Sequence, residues 1–410
     1  MSAAPGETGS PTWRDVPRSV VALGLVSLLM DISSELIHSL LPVFLTTALG
    51  ASTVAVGLIE GIAEATAAIT KIFSGALSDR IGKRKLLVGI GYGLAALTKP
   101  MFPIATTVWA VLAARFLDRI AKGIREAPRD ALIADITPPE IRGASYGLRQ
   151  ALDTVGALVG PLLAVALMAL YANNFRAVFW WALVPAALAV LLLAVGVREP
   201  DEIRATAAKG GWPIRKQELR RMSSAYWTVV AIGAVFALGR FSEAFLVLKA
   251  QADGLALALL PLVYVWMNLV YALVAAPAGI LSDKIGRSNV LLCGLTVLTL
   301  ADLILAFVPG LGGTIAGIGL WGLYLGLSQG LLSALVADTA PDDLRGTAFG
   351  LFNLVTGVAL LAASALAGGL WYAFGPAATF GAGAAFSALT ILIMAFGLTR
   401  APQQPMRTSG

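Results

Sequence analysis

The chain has 410 residues, of which 58% are hydrophobic and only 13% charged, with a mean hydropathy of +0.81. Soluble domains carry about 25% charged residues, so the composition argues against a water-soluble enzyme and for a bundle of membrane-spanning helices of ~20 apolar residues each. The formal net charge of +6 comes without basic runs interleaved with stacking aromatics, which argues against a nucleic-acid partner and leaves the positive-inside rule as its cause.

Residues 1–17 are polar, with no charged stretch leading into a short apolar run and cleavage site, so they read as a cytosolic tail. Six apolar spans are expected next, at 19–47, 53–78, 86–106, 108–133, 144–171 and 177–197, forming an N-terminal six-helix bundle over 18–197. Residues 198–222 are a polar, basic linker on the cytosolic side. Six more spans, at 225–249, 255–281, 289–308, 312–336, 345–370 and 377–399, make a C-terminal bundle over 223–399, and 400–410 is a second cytosolic tail. Near-continuous apolar runs such as 20–30 and 182–197 exclude the alternating pattern of a membrane barrel. The one cysteine, Cys293, lies in an apolar run and allows no internal disulfide.

Orientation follows from the basic residues. Arg80, Lys83, Arg84, Lys85, Arg142, the linker cluster, Lys284, Arg287, Arg345, Arg400 and Arg407 fall on the side of the N-terminus, against little beyond Arg176 and Lys249 opposite. Both termini are therefore expected in the cytosol of a cell whose plasma (inner) membrane holds the chain.

Two segments recur. Gly75-Ala-Leu-Ser-Asp79-Arg80-Ile-Gly82-Lys83 returns as Gly279-Ile-Leu-Ser-Asp283-Lys284-Ile-Gly286-Arg287. The run from Ala134-Asp135 to Arg142-Gly143 and Gly147-Leu148 returns from Ala337-Asp338 to Arg345-Gly346 and Gly350-Leu351. Ser34-Glu35 in the first span also matches Ser242-Glu243 in the seventh. Matches in the same order mean two six-span halves of like orientation, a transporter architecture with its site between the halves near the midplane.

The two loops resemble the Gly-x-Leu-x-Asp-Arg/Lys-x-Gly-Arg/Lys signature of the major facilitator superfamily, and the resemblance covers nearly the whole chain. It implies an all-α integral membrane fold of twelve helices in two pseudo-symmetric six-helix bundles, with spans three, six, nine and twelve as outer scaffold. Gly75 and Gly279 would permit close helix approach, Gly82 and Gly286 a tight turn, and Arg80 and Arg287 anchor the cytosolic side. In the family the aspartate latches the cytosolic gate; Asp79, with Asp283 as its repeat, would face the start of span eleven near Arg345 and Gly346. Span four is similar to the family motif Arg-x-x-Gln-Gly-x-x-x-Ala, with the arginine linked to proton transfer at Arg119. Lys122 stands where the glutamine should be, and Arg125 and Glu126 add charges the motif lacks. Gly147, Gly156 and Gly160-Pro161 in span five resemble the glycine-proline motif of exporting antiporters, although Ala164 and Val165 replace its final glycines.

Ionisable residues inside the membrane cost at least ~2.5 to 3.5 kcal/mol each and are by default functional. Asp31, Glu35 and His38 share one face of span one, Glu60, Glu64 and Lys71 one face of span two, and Arg115 to Asp130 a broad stripe of span four. Asp31, Glu35, Glu64, Asp118 and Arg119 are the expected proton-coupling set. Asp31, Glu35, His38, Arg119, Lys122, Glu126, Arg240 and Glu243 are the expected solute site. Asn268, Gln329, Asn353, Trp266, Trp321 and Tyr324 offer hydrogen bonds or stacking surface in the quieter second half. Asp31, Glu35 and His38 are weak metal candidates, and no cofactor is expected. With no phosphate-binding Gly-x-x-x-x-Gly-Lys-Ser/Thr run, energy should come from an ion gradient. The expected function is proton-coupled export (antiport) of a small solute such as a drug-like compound or a metal cation, by a monomer. The alternatives are import or exchange of a small organic anion, and a non-transporting membrane sensor. No nucleophile–base arrangement suggests an enzyme.

Overall fold

A computed structural model describes residues 16–197, 219, 221–328, 331–341 and 344–398. The expected tails (save residues 16 and 17), most of the linker, Gln329, and the side chain of Asp283 lie outside the described residues. Every described regular element is helical. The first half comprises α1 (Arg18–His38, prolonged by Leu41–Val43 and a π-helical turn Phe44–Ala48), α2 (Thr53–Ile81), α3 (Arg84–Thr98, prolonged by Met101–Ile104) and α4 (Val108–Ile136). It ends with α5 (Arg142–Leu170) and α6 (Phe175–Trp181 and Leu183–Gly196). The second half comprises α7 (Ser224–Gly239 and Ala244–Ala252), α8 (Leu262–Ile285), α9 (Arg287–Phe307), α10 (Gly310–Ser328 and Leu331–Thr339), α11 (Arg345–Phe374) and α12 (Pro376–Leu398). Among the described residues 11 helical spans are long and apolar enough to cross a membrane, and α4 fails that test only through its charges between Arg115 and Asp130.

Local sequence sets the ends. Ser52, Thr107, Asn174 and Ser223 each cap a helix by accepting from the backbone N–H three residues on, the role short polar side chains fill best. α2 and α8 stop at Gly82 (φ 64) and Gly286 (φ 87), left-handed positions that favour glycine. The second recurring segment is held to the end of the first in each half: Arg84 on α3, one residue past Lys83, pairs with Asp135 on α4 (2.8 Å), and Arg287 on α9 with Asp338 on α10. The face carrying these loops is called the basic face.

The halves touch through α2 against α11 and α5 against α8, with tight contact toward the face opposite. There Thr53 Oγ1 donates to the Gly368 carbonyl (3.1 Å), and the His38 ring lies 5.4 Å from that of Tyr264. A Cβ on Gly57 would fall 2.1 Å from the Ser364 carbonyl oxygen, a backbone atom that cannot turn aside. Gly57→Ala should therefore disfavour this closure. In a Cys293→Ser background, Leu361→Cys is expected to react faster with an impermeant thiol reagent applied at the opposite face when Gly57→Ala is added; an unchanged rate would contradict the closure.

Of the helices expected as scaffold, α9 carries a buried charge. Asp302 on α9 is fully buried, and one of its oxygens accepts from Trp321 Nε1 (2.9 Å) while the other has no hydrogen-bond partner. Asp302→Leu would strand the Trp321 N–H and should cost about 1 to 3 kcal/mol. Asp302→Asn, which keeps the acceptor, should cost less, as thermal unfolding in detergent would show.

Candidate functional site

Three adjoining cavities run through the molecule. The central one, about 400 Å³, lies between the halves. Glu64 and Lys71 of α2 and Lys122 and Glu126 of α4 face Phe236 and Arg240 of α7 and Phe352 and Asn353 of α11 across it. A deep pocket of about 100 Å³ adjoins it through Glu64 and Arg240 and is lined by His38, Glu60, Ser242 and Glu243. A third chamber, of about 220 Å³, sits inside the first half and shares Lys71, Lys122 and Glu126 with the central cavity.

The deep pocket owes its shape to a break in α7. Residues 240–243 leave the helix, and the Ser242 N–H donates to Ser364 Oγ (3.2 Å) and the Ala244 N–H to Ser242 Oγ (3.2 Å). Non-helical backbone at membrane depth survives only where protein buries it or a cavity is lined by it, and all of 240–243 line this pocket. Reading the sequence as one span missed the break, which only Gly239 marks. The matching Ser34-Glu35 lies in unbroken helix, so the repeat is not exact in backbone.

The charges are arranged in pairs. Buried Glu60 accepts from Arg115 Nη2 (3.0 Å) and lies 3.3 Å from His38 Nε2, while His38 Nδ1 is 3.6 Å from Glu35. Glu60 thus ties α1 to α4, yet its other oxygen has no partner. Arg119 pairs with Glu64 (3.2 Å), whose side chain is 36% exposed, and Glu126 lies between Lys71 (3.2 Å) and Lys122 (3.7 Å).

The residues expected for proton coupling, and Lys122 of the expected solute site, are dispersed. Glu64 and Lys122 line the central cavity, Asp31 lines the third chamber and Glu35 sits against His38. Asp118 lines none of the three; it accepts from Lys99 Nζ (2.8 Å) and Thr98 Oγ1 (3.2 Å) on α3. At 100° per residue the α4 stripe spans about 140°, too wide for one cavity. Its edge residues turn to α3, Asp118 to Lys99 and Arg125 onto the Tyr92 ring, 5.0 Å away. Sequence reading did not assign Glu60 or Arg115 to the site and overlooked Lys99; the proximity of Glu60 and Glu64 on one helical face was the available signal. Of the weak metal candidates Glu35 and His38 meet while Asp31 lines the third chamber, and among the described residues no group of three or more His, Cys, Asp or Glu is placed to hold an ion. Asn353 lines the central cavity, whereas Trp266 donates to the Ile315 carbonyl and Trp321 to Asp302.

The gate residues show which contacts this conformation makes. Asp79, 53% exposed, pairs with Arg84 of its own half (3.5 Å), rather than being latched by the start of α11 as expected. A Cβ on Gly75 would approach Ala127 at 3.4 Å, whereas one on Gly279 would meet nothing within 4 Å among the described residues. Arg80 is exposed at the end of α2. Gly156 and Gly160 let α5 lie directly on the acidic face of α1: a Cβ on either would fall 2.8 Å from the Cβ of Asp31 or Glu35 respectively, with Pro161 buried beside them.

The chain matches the family model described as Major Facilitator Superfamily over residues 23–265 and 244–410. It is 32% identical over 392 residues to the MFS-type transporter MJ1317 of Methanocaldococcus jannaschii, covering 93% of this chain and 96% of that one. It is 24% identical over 362 residues to the tetracycline resistance protein, class H, of Pasteurella multocida, covering 83% and 86%. A solved POT family transporter in complex with 5-aminolevulinic acid has the same fold, with a TM-score of 0.77 at 13% identity over 96% of this chain and 99% of that one.

Proposed function

The chain belongs to the major facilitator superfamily and is a multi-pass membrane transporter; from that premise we propose that it exports a small, drug-like solute in exchange for protons, with the basic face in the cytosol. The observation that carries the proposal is the central cavity, where four titratable side chains of the first half face a second-half wall that is largely apolar, with Asn353 and a single charge, Arg240. Glu64 is the hinge of the scheme, because it lines both the central cavity and the deep pocket and is held by Arg119. Rocking of the halves changes which bases each carboxylate meets and how dry it is, and so whether it keeps a proton. A solute entering from the basic face competes for the same groups. The broken α7 brings Arg240 and Glu243 to the opposite wall, as discontinuous helices do in other transporters. Likeness to a tetracycline resistance protein supports export and an amphiphilic solute.

A second reading, import or exchange of an organic anion, is favoured by Lys71, Lys122 and Arg240 around the central cavity. Proteoliposomes containing a pH dye, offered tetracycline, cationic dyes and small carboxylates, separate the two. Proton movement opposite to the solute supports export, movement in the same direction supports import, and no proton movement with any solute overturns coupling.

A further inference from the structure

The third chamber differs from the other two in belonging to the first half alone. α1 contributes Asp31, α2 Lys71, and α5 Arg149, Gln150 and Asp153, while α4 contributes Lys122, Arg125, Glu126, Arg129 and Asp130. Every lining residue is polar or charged, so the chamber has no wall against which an apolar solute would pack. Gln150 is exposed and, with Asp130, lies ~10 Å in from the basic-face ends of α5 and α4 by helical rise, whereas Asp31 lies ~20 Å along α1. The chamber thus extends from the level of exposed Gln150, near the basic face, inward to Asp31.

We infer that this chamber is a water-filled proton branch that joins the basic face to Asp31, separate from the path taken by the solute; the inference rests on the proton-coupled reading above. Its side chains are fixed in a ladder, Arg129 to Asp130 (3.2 Å) and Arg149 to both Asp130 (3.7 Å) and Asp153 (2.9 Å). Among the described residues, Asp153 Oδ1 and Arg149 Nε of that ladder, and Arg125 Nη1 beside it, are buried without a hydrogen-bond partner. Arg125 is only 4% exposed. Buried polar atoms are nearly always hydrogen-bonded, if not to protein then to water, and a polar cavity of about 220 Å³ holds several waters.

Carboxylates follow one another from mouth to depth, Asp130, Asp153 and Asp31. A proton travels by exchange of O–H bonds between these groups and the intervening water, with no other bond made or broken. Because its walls come from one half, the branch keeps its shape while the halves rock. At its inner end it meets the solute cavity at Lys122 and Glu126, which line both. Solute charge at that junction therefore acts on Asp31 through Lys122 and Glu126, which line the same chamber, rather than through a shared pore.

Two measurements on the full-length protein test the branch. In a Cys293→Ser background, Asp153→Cys should react with a small cationic methanethiosulfonate reagent. Adding Gln150→Trp at the mouth should slow that reaction at least tenfold while leaving Phe352→Cys, in the central cavity, at its original rate; Gln150→Ala should slow neither. An inert Asp153→Cys beside a reactive Phe352→Cys, or a rate untouched by Gln150→Trp, would overturn the inference. In proteoliposomes with tetracycline as the probe, Gln150→Trp should reduce solute-driven proton movement at least tenfold and preserve tetracycline exchange. Unchanged proton movement in that variant overturns the branch alone, whereas no proton movement in the unmodified protein overturns both readings.

Discussion

Lys99→Met is expected to destabilise the protein by about 3 to 5 kcal/mol, the cost of leaving a buried charge without its partner. Lys99 is 2% exposed and donates to Asp118 (2.8 Å) and to Ser34 Oγ (3.0 Å), so its loss strands the Asp118 carboxylate between α3 and α4. Replacing both members, as Lys99→Met with Asp118→Leu, should recover most of the loss, since well-packed apolar residues often match a buried pair. Thermal unfolding in detergent reads both effects. The double variant should also still move protons with its solute, because Asp118 lines no cavity. Loss of coupling in a stable double variant would return Asp118 to the proton-carrying set.

Glu64→Gln is the second large effect expected, and it falls on transport rather than on folding. The amide keeps the size of the side chain and can still accept from Arg119, but it cannot take up a proton. Coupled flux should drop at least tenfold, equivalent to about 1.4 kcal/mol of barrier, while the unfolding temperature changes little. The 36% exposure of the Glu64 side chain makes folding tolerant of the change. Glu35→Gln, beside His38, should give a weaker version of the same defect. Full coupled flux in Glu64→Gln would remove that residue from the scheme.

The helices were legible in the sequence because apolar runs of membrane length are a local property, as over 182–197. The repeat was equally plain, since Gly82 and Gly286 must both turn the chain with positive φ. Which charge meets which is a matter of neighbours, and there periodicity ran out. It placed Asp118 and Arg119 on one stripe, but one step of 100° between them sends the first to α3 and the second to α2. Lys99 went unremarked because its partner, Asp118, lies on the next helix, 19 residues on. The break at 240–243 was hidden because its stabilising contact, from the Ser242 N–H to Ser364, spans 122 residues of sequence.

The central claim is that solute and proton compete for one set of carboxylates around Glu64. Proton release on solute binding tests it most directly, with detergent-solubilised protein in weak buffer, a pH indicator, and tetracycline added as the probe. Binding should release protons from the unmodified protein and release far fewer from Glu64→Gln. Tetracycline binding with no proton release from the unmodified protein would contradict the account.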